Sequence, residues 1–422
     1  MLTFAFSLYA EMNFMKQDTF SFAKASDEFQ SITYRWVMLA LLWLLYASFG
    51  VISRSISPLV TPILVDLKMS YSQMGLVLGS WQLTYIGAAT MAGFFIDKCG
   101  IRRSLFFGTI VIALSVGLRY FSQGFGTFLP IVALFGIGGP MISVGCPKTI
   151  ALWFRGKDRG TAIGIYMTGP WLGGAFVLAT TNRLIMPLTG DSWRLTFAFF
   201  GIITLVIAFL WWILARDLKT IDDSESIDMK SVFMKLVKVR NVQILIISGL
   251  LTFAVLHGLT NWLPKIFEIK GFSPTMAGYA SSTPLLAGIP SLLILPRIIP
   301  ALRRGAAIAI MALIEAASVW MFFSLTGVLM FAGLILYGVS ACTLIPLMIL
   351  MLMETPEVGS KYMGSAGGIF FAISEIGGFM SPLVIGMLVD WTGGFLVGGY
   401  FVVILSLAVF LLSFQIQHKS IL

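Results

Sequence analysis

The sequence predicts an all-α polytopic membrane protein, with twelve transmembrane helices in two pseudo-symmetric six-helix bundles. Three observations carry that prediction. The 422 residues are 58% hydrophobic and only 11% charged. A soluble protein carries roughly 25% charged residues, so this much apolar surface needs lipid as its solvent. The apolar runs are long and continuous, as helices spanning a bilayer require, and unlike the short alternating segments of a β-barrel. Finally, the second half repeats the first. Gly160-Thr161-Ala162-Ile163-Gly164-Ile165, followed by Gly173-Gly174, returns as Gly364-Ser365-Ala366-Gly367-Gly368-Ile369, followed by Gly377-Gly378, with each pair 204 residues apart.

The first 33 residues form a polar-aromatic tail. It lacks a basic stretch followed by an apolar one and is not read as a cleaved signal. Twelve apolar stretches follow, at 36–60, 72–96, 104–121, 126–153, 160–186, 193–215, 241–264, 275–299, 305–325, 328–353, 362–389 and 394–416. The polar stretch 216–240, with Asp222-Asp223-Ser224-Glu225, splits them six and six. The domains are therefore a tail at 1–33, an N-terminal bundle at 34–215, a linker at 216–240, a C-terminal bundle at 241–416 and a tail at 417–422. With both termini on one side, that side holds twenty lysines and arginines and the other side six. Basic residues accumulate in cytoplasmic loops, so both termini are expected in the cytoplasm, in a cytoplasmic (inner) membrane. The net charge of +9 sits in these short loops, which argues against a nucleic-acid partner. Cys99, Cys146 and Cys342 form neither a disulfide framework nor a metal-ligand spacing.

An ionisable group at the centre of a spanning helix costs at least about 2.5 kcal/mol, so each one is a functional candidate. In span 1, Arg54 stands about 29 Å beyond Arg35 at 1.5 Å per residue. Tyr46, Gly50 and Arg54 share one helix face. Arg54 is either a substrate ligand or an arginine snorkelling to the outer interface. In span 2, Trp81, Gln82 and Tyr85 are cavity walls or core packing, as is Tyr337 in span 10. Lys148 of span 4 lies five residues from Trp153 and reads as snorkelling to the cytoplasm. In span 7, His257 and Asn261 are one turn apart, on the helix pseudo-equivalent to span 1, and are placed to face Arg54. In span 11, Glu375 lies about 20 Å into the helix, at the repeat position of Trp171. It is a proton carrier, a partner for a cation, or a structural carboxyl group.

The loop after span 2 reads Gly93-Phe94-Phe95-Ile96-Asp97-Lys98-Cys99-Gly100-Ile101-Arg102-Arg103. It resembles the signature loop of the major facilitator superfamily, Gly-x-x-x-Asp-Arg/Lys-x-Gly-Arg/Lys-Arg/Lys, with Ile101 where a basic residue is usual. The resemblance runs over 36–416 and implies twelve helices that rock about a central site. It assigns Gly93, Asp97, Gly100, Arg102 and Arg103 to a gate. A carboxylate such as Asp97 can accept hydrogen bonds from a neighbouring helix N-terminus and from arginines, latching one side shut. The alternative is a merely basic cytoplasmic loop. The corresponding loop of the second half keeps Arg303 and Arg304 but has Ile298 in place of the aspartate. Gly169-Pro170-Trp171-Leu172-Gly173-Gly174 in span 5 resembles the superfamily's Gly-Pro-x-x-Gly-Gly motif, often noted in exporters. Here Gly169, Pro170, Gly173 and Gly174, like Gly377 and Gly378 in span 11, are read as helix-packing residues. Ninth spans of the superfamily usually sit at the periphery, so Glu315 is read as structural. Several organic-anion members carry an arginine near the position of Arg54, where a bidentate guanidinium holds a carboxylate or phosphate. Val132, where proton-coupled drug exporters often have an arginine, and Ser53, where an acidic residue would flank Arg54, weaken the case for proton coupling.

These features predict a secondary transporter of a small organic anion or zwitterion working by alternating access. Arg54, Tyr46, Trp81, Gln82, Tyr85, His257, Asn261 and Tyr337 bind substrate, and Glu375 or His257 moves a proton in uptake. The alternatives are an exporter of a hydrophobic compound, siderophore or drug, or a membrane sensor that does not transport. No phosphate loop, metal cluster or nucleophile elbow is present, so neither an enzyme nor ATP-driven transport is expected, and no cofactor. The expected partners are a small-molecule substrate, a coupling proton and the lipid bilayer, with the protein a monomer.

Overall fold

The computed structural model describes residues 34–217, 236 and 238–416. The predicted tails at 1–33 and 417–422, and most of the 216–240 linker, lie outside the described residues. Among the described residues there are twelve long helices. The first half contributes α1 (Tyr34–Asp66), α2 (Tyr71–Cys99), α3 (Ile101–Leu118), α4 (Phe125–Trp153), α5 (Asp158–Leu188) and α6 (Trp193–Leu214). The second half contributes α7 (Arg240–Ile269), α8 (Pro274–Ile298), α9 (Arg304–Ser324), α10 (Gly327–Glu354), α11 (Gly359–Thr392) and α12 (Leu396–Ser413). Odd-numbered helices run away from the end that carries residues 34 and 416, here the terminal end, and even-numbered helices run back from the distal end.

Among the described residues, eleven helices are long and apolar enough to cross a membrane. The exception, α2, is long enough but carries Gln73, Ser80, Gln82, Thr84 and Tyr85. Those residues belong to a helix facing the other half rather than lipid, which is why hydropathy alone undercounts the spans.

Local chemistry sets the boundaries. Ser70 and Gln73 form a capping box at the start of α2. Ser192 and Ser273 cap α6 and α8 through the backbone N–H groups of Leu195 and Met276. Gly100 turns α2 into α3 at φ +83°, a conformation that glycine adopts without strain. Within α1 the helix tightens into a 3-10 turn over Ser57–Leu59. Within α5 a π turn over Thr181–Ile185 re-aims Asn182, whose amide donates to the carbonyls of Pro58 and Pro274 at 3.1 and 3.2 Å.

The repeat is visible as a repeated helix contact. A Cβ on Gly173 of α5 would lie 2.1 Å from the Ala47 carbonyl oxygen of α1, and one on Gly377 of α11 would lie 2.0 Å from that of Leu250 in α7. The backbones touch there because the side chain is a hydrogen atom.

The halves are joined at the distal end. Asp390 of α11 accepts the backbone N–H groups of Tyr71 and Ser72 at the start of α2, at 3.0 and 2.7 Å, and the Ser72 hydroxyl. Thr61 of α1 accepts from Lys265 at 2.8 Å and donates to Glu268, both on α7. Leu59, Ile63 and Trp81 share one apolar core with Leu259, Trp262 and Ile385. A separate core with Leu245, Leu347 and Phe370 belongs to the second half alone, toward the terminal end. The ion pairs at that end, Arg35–Asp158 at 2.8 Å, Lys148–Asp97 and Arg304–Glu354, each stay within one half. Among the described residues, the hydrogen bonds that cross between the halves thus lie at the distal end and at mid-depth, while toward the terminal end α5 approaches α8, where a Cβ on Gly164 would lie 3.4 Å from an Arg297 guanidinium nitrogen.

Two charged groups behave differently from the sequence expectation. Asp97 pairs with Lys148 of α4 rather than with Arg102. The backbone N–H of Arg102 instead donates to Asp217 at 3.0 Å, and its guanidinium lies 4.9 Å over the Trp212 ring. Arg119, counted with the distal loop charges, is 1% exposed. It donates to Ser55 at 3.0 Å and stacks 5.0 Å from Phe197, so it ties α3 into the bundle.

Candidate functional site

Arg54 sits one turn before the 3-10 break in α1, where the chain approaches α7. One guanidinium nitrogen donates to the Thr260 hydroxyl at 2.6 Å. That hydroxyl spends its own proton on the Leu256 carbonyl at 2.5 Å, so its lone pairs are free to accept. Arg54 takes part in none of the five ion pairs among the described residues. Its uncompensated charge faces a cavity of about 150 Å³ between the halves, lined by Phe49, Ser53, Arg54, Trp81, Pro170, Trp171 and His257.

One wall is aromatic. Phe49 packs against Phe135 at 5.0 Å and edge-on to Trp81 at 6.0 Å. Trp81 in turn meets the His257 ring of the other half at 5.8 Å. His257 lines the cavity from the other half, and behind it side chains gather on Gly378 of α11. A Cβ there would lie 3.0 Å from His257 Cδ2 and 3.1 Å from Glu375 Oε2. Glu375 is buried, and its Oε2 has no hydrogen-bond partner. Gln82 reaches across the seam to donate to the Gly378 carbonyl at 3.4 Å, leaving its own Oε1 buried without a partner. From the first half, Tyr46 and Tyr85 lie within electrostatic reach of Glu375.

The second glycine of each repeated pair has a parallel role. A Cβ on Gly174 would lie 2.9 Å from Arg54 Cδ, just as one on Gly378 would crowd His257 and Glu375. Gly173 and Gly377 bring the helix backbones together, while Gly174 and Gly378 leave room for the ionisable side chains.

Arg54, Trp81 and His257 thus converge on the cavity, with Gln82 and Glu375 beside it. Tyr46 stacks on Tyr166 at 5.6 Å, and Tyr85 hydrogen-bonds Ser143 at 2.6 Å, one layer behind. Asn261 and Tyr337 are buried and are not among the residues lining the cavity, although Tyr337 lies within electrostatic reach of Arg54; the Asn261 Nδ2 and the Tyr337 hydroxyl have no hydrogen-bond partner among the described residues. Glu315 is fully buried on α9 and accepts from Ser406 of α12 at 2.9 Å, away from the cavity. The sequence did not single out Phe49 or Thr260, and it marked Ser53 and Trp171 without placing either in the binding site. The signal for them was helical spacing: Phe49 and Ser53 flank the Tyr46-Gly50-Arg54 face, and Thr260 follows His257 by three residues.

Two half-bundles meeting at a largely aromatic cavity with one charged group is an arrangement with known relatives. The family model described as Major Facilitator Superfamily matches residues 42–382. The chain belongs to the Major Facilitator Superfamily. Within the superfamily, it is 25% identical over 382 residues to a hexuronate transporter of Bacillus subtilis (strain 168), covering 85% of this chain and 90% of that protein. It is 24% identical over 395 residues to the glycerol-3-phosphate transporter of the same organism, covering 83% and 86%. Its fold matches that of a bacterial homolog to the human lysosomal transporter Spinster, in an inward-facing and unoccupied conformation. The TM-score is 0.74 at 15% identity, over 91% of this chain and 97% of that one. The protein is accordingly a multi-pass membrane transporter of a small molecule.

Proposed function

We propose that this protein takes up a small organic anion across the cytoplasmic membrane by alternating access, with Arg54 as the anion ligand. The observation that carries the proposal is the Arg54 guanidinium, which faces a cavity at the seam of the two halves and, among the described residues, has no carboxylate in ion-pair contact. A charge left unpaired in the membrane interior is costly and marks a ligand site. A planar guanidinium suits bidentate recognition of a carboxylate. The names of the relatives, hexuronate and glycerol-3-phosphate transporters, support an anionic cargo.

Basic residues favour the cytoplasm for the terminal end, so the Asp390 contacts with α2 fall on the outward side. Glu375 is the candidate proton carrier, being buried, unpartnered and beside the cavity. Counterflow of labelled carboxylates in proteoliposomes tests the reading. Arg54→Ala removes charge-assisted hydrogen bonds of about 1.5–3 kcal/mol each, and exchange should fall by at least about tenfold with protein still in the membrane. Unchanged exchange refutes the anion site.

A further inference from the structure

The charge count of the cavity points to a finer rule. We propose that the cargo carries one negative charge and enters with one proton on Glu375, so that the loaded site is electroneutral; this rests on the anion reading above. Among the residues lining the cavity, Arg54 supplies the one permanent charge. His257 lies edge-on to Trp81 and tilted against Phe253, at 5.8 and 5.7 Å, and an imidazole at its ordinary pKa is largely neutral at pH 7. The other ionisable group at the site is Glu375. It is faced by Tyr46 from α1, Tyr85 from α2 and His257 from α7, and by no cation in contact with it among the described residues.

The balance follows. With Glu375 ionised, Arg54 and Glu375 already cancel, and an added anion leaves a net negative charge in a closed, buried space. With Glu375 protonated, one substrate anion cancels Arg54. A dianion is unbalanced in either state, and an unbalanced buried charge is the costly case.

The geometry adds the chemistry of the far end of the cargo. Glu375 Oε2 and Gln82 Oε1 are both buried without partners, and both side chains meet at Gly378. The Gln82 oxygen can only accept, so it calls for a donor. A protonated Glu375 supplies one proton, and a hydroxyl group on the cargo supplies the others. The favoured class is therefore a small monoanion with hydrogen-bond donors remote from its single carboxylate, not a dicarboxylate or a phosphate ester.

Matched pairs of probes test this in proteoliposomes and in competition binding to the purified full chain: D-glucuronate against D-glucarate, and lactate against malate. The expected result is a monoanion that binds at least about tenfold more tightly than its dianionic partner, a modest fraction of a like-charge penalty. A pH gradient should drive its uptake, while a valinomycin-imposed potential alone changes the rate by less than about twofold, because one anion and one proton move no net charge. Glu375→Gln should keep monoanion binding and lose acceleration by the pH gradient. Equal binding of the dianions, or uptake driven by potential alone, overturns the charge rule while leaving the anion site intact. If no probe of either charge binds and Arg54→Ala matches the parent protein throughout, the anion reading itself falls, and the charge rule with it.

Discussion

At the scale of single residues, the site depends on what is missing. Gly378 lacks a side chain, and this lets Glu375 and His257 approach one point from neighbouring helices. Gly378→Ala would place a methyl group 3.0 Å from the imidazole and 3.1 Å from the carboxyl oxygen. It should disturb transport far more than folding, because both neighbours are side-chain atoms that can shift. Transport rate and thermal stability of the purified variant check this, and a large loss of both would mean that Gly378 serves packing instead. Gly377→Ala should behave differently. Its Cβ would meet the Leu250 carbonyl oxygen at 2.0 Å, and backbone does not move aside cheaply. Destabilisation of about 1–3 kcal/mol is expected from overpacking of this kind. The sequence made the two glycines of each repeated pair look alike. Their different roles depend on helix rotation against α1 and α7, which no spacing rule contains.

At the scale of elements, the antiparallel pair α2 and α11 forms the seam that must open. Gly75, Gly79 and Gly386 let the two backbones touch. A Cβ at these positions would come 2.2–2.4 Å from a carbonyl oxygen of the partner helix. Asp390 then caps the first N–H groups of α2 from the opposite half, where the helix dipole favours a negative charge. Replacing it in Asp390→Asn should weaken the distal closure by about 1–3 kcal/mol and raise the outward-open population by roughly tenfold or more. Labelling of a cysteine placed at Met69, buried just before the start of α2, with and without the Asp390 substitution reports that population, and an unchanged labelling rate counts against the latch. The sequence made Asp97, at the other end of α2, the obvious latch, because the signature loop drew attention to it. The structure holds Asp97 on Lys148 within its own half. Asp390 has no flanking motif, and a contact between residues 318 and 319 positions apart leaves no trace in local pattern.

At the scale of the whole molecule, the twelve spans, the six-and-six division and the family were legible in composition, run length and a 204-residue repeat. Arg54 was legible as a charge in an apolar run. Its partner Thr260 was not, because threonine is at home in any membrane helix. Nor could the sequence say which end carries the hydrogen bonds between the halves, since one chain must fit both conformations. An organic anion on Arg54 is expected to draw the halves closer at the terminal end. Spin labels on cysteines at Phe94 of α2 and Phe371 of α11, both exposed, measure that closure by pulsed dipolar spectroscopy. Adding the transported carboxylate should shift the distance distribution toward shorter separations in the parent background and leave it unchanged with Arg54→Ala. The same shift in both backgrounds, or none in either, would contradict the account.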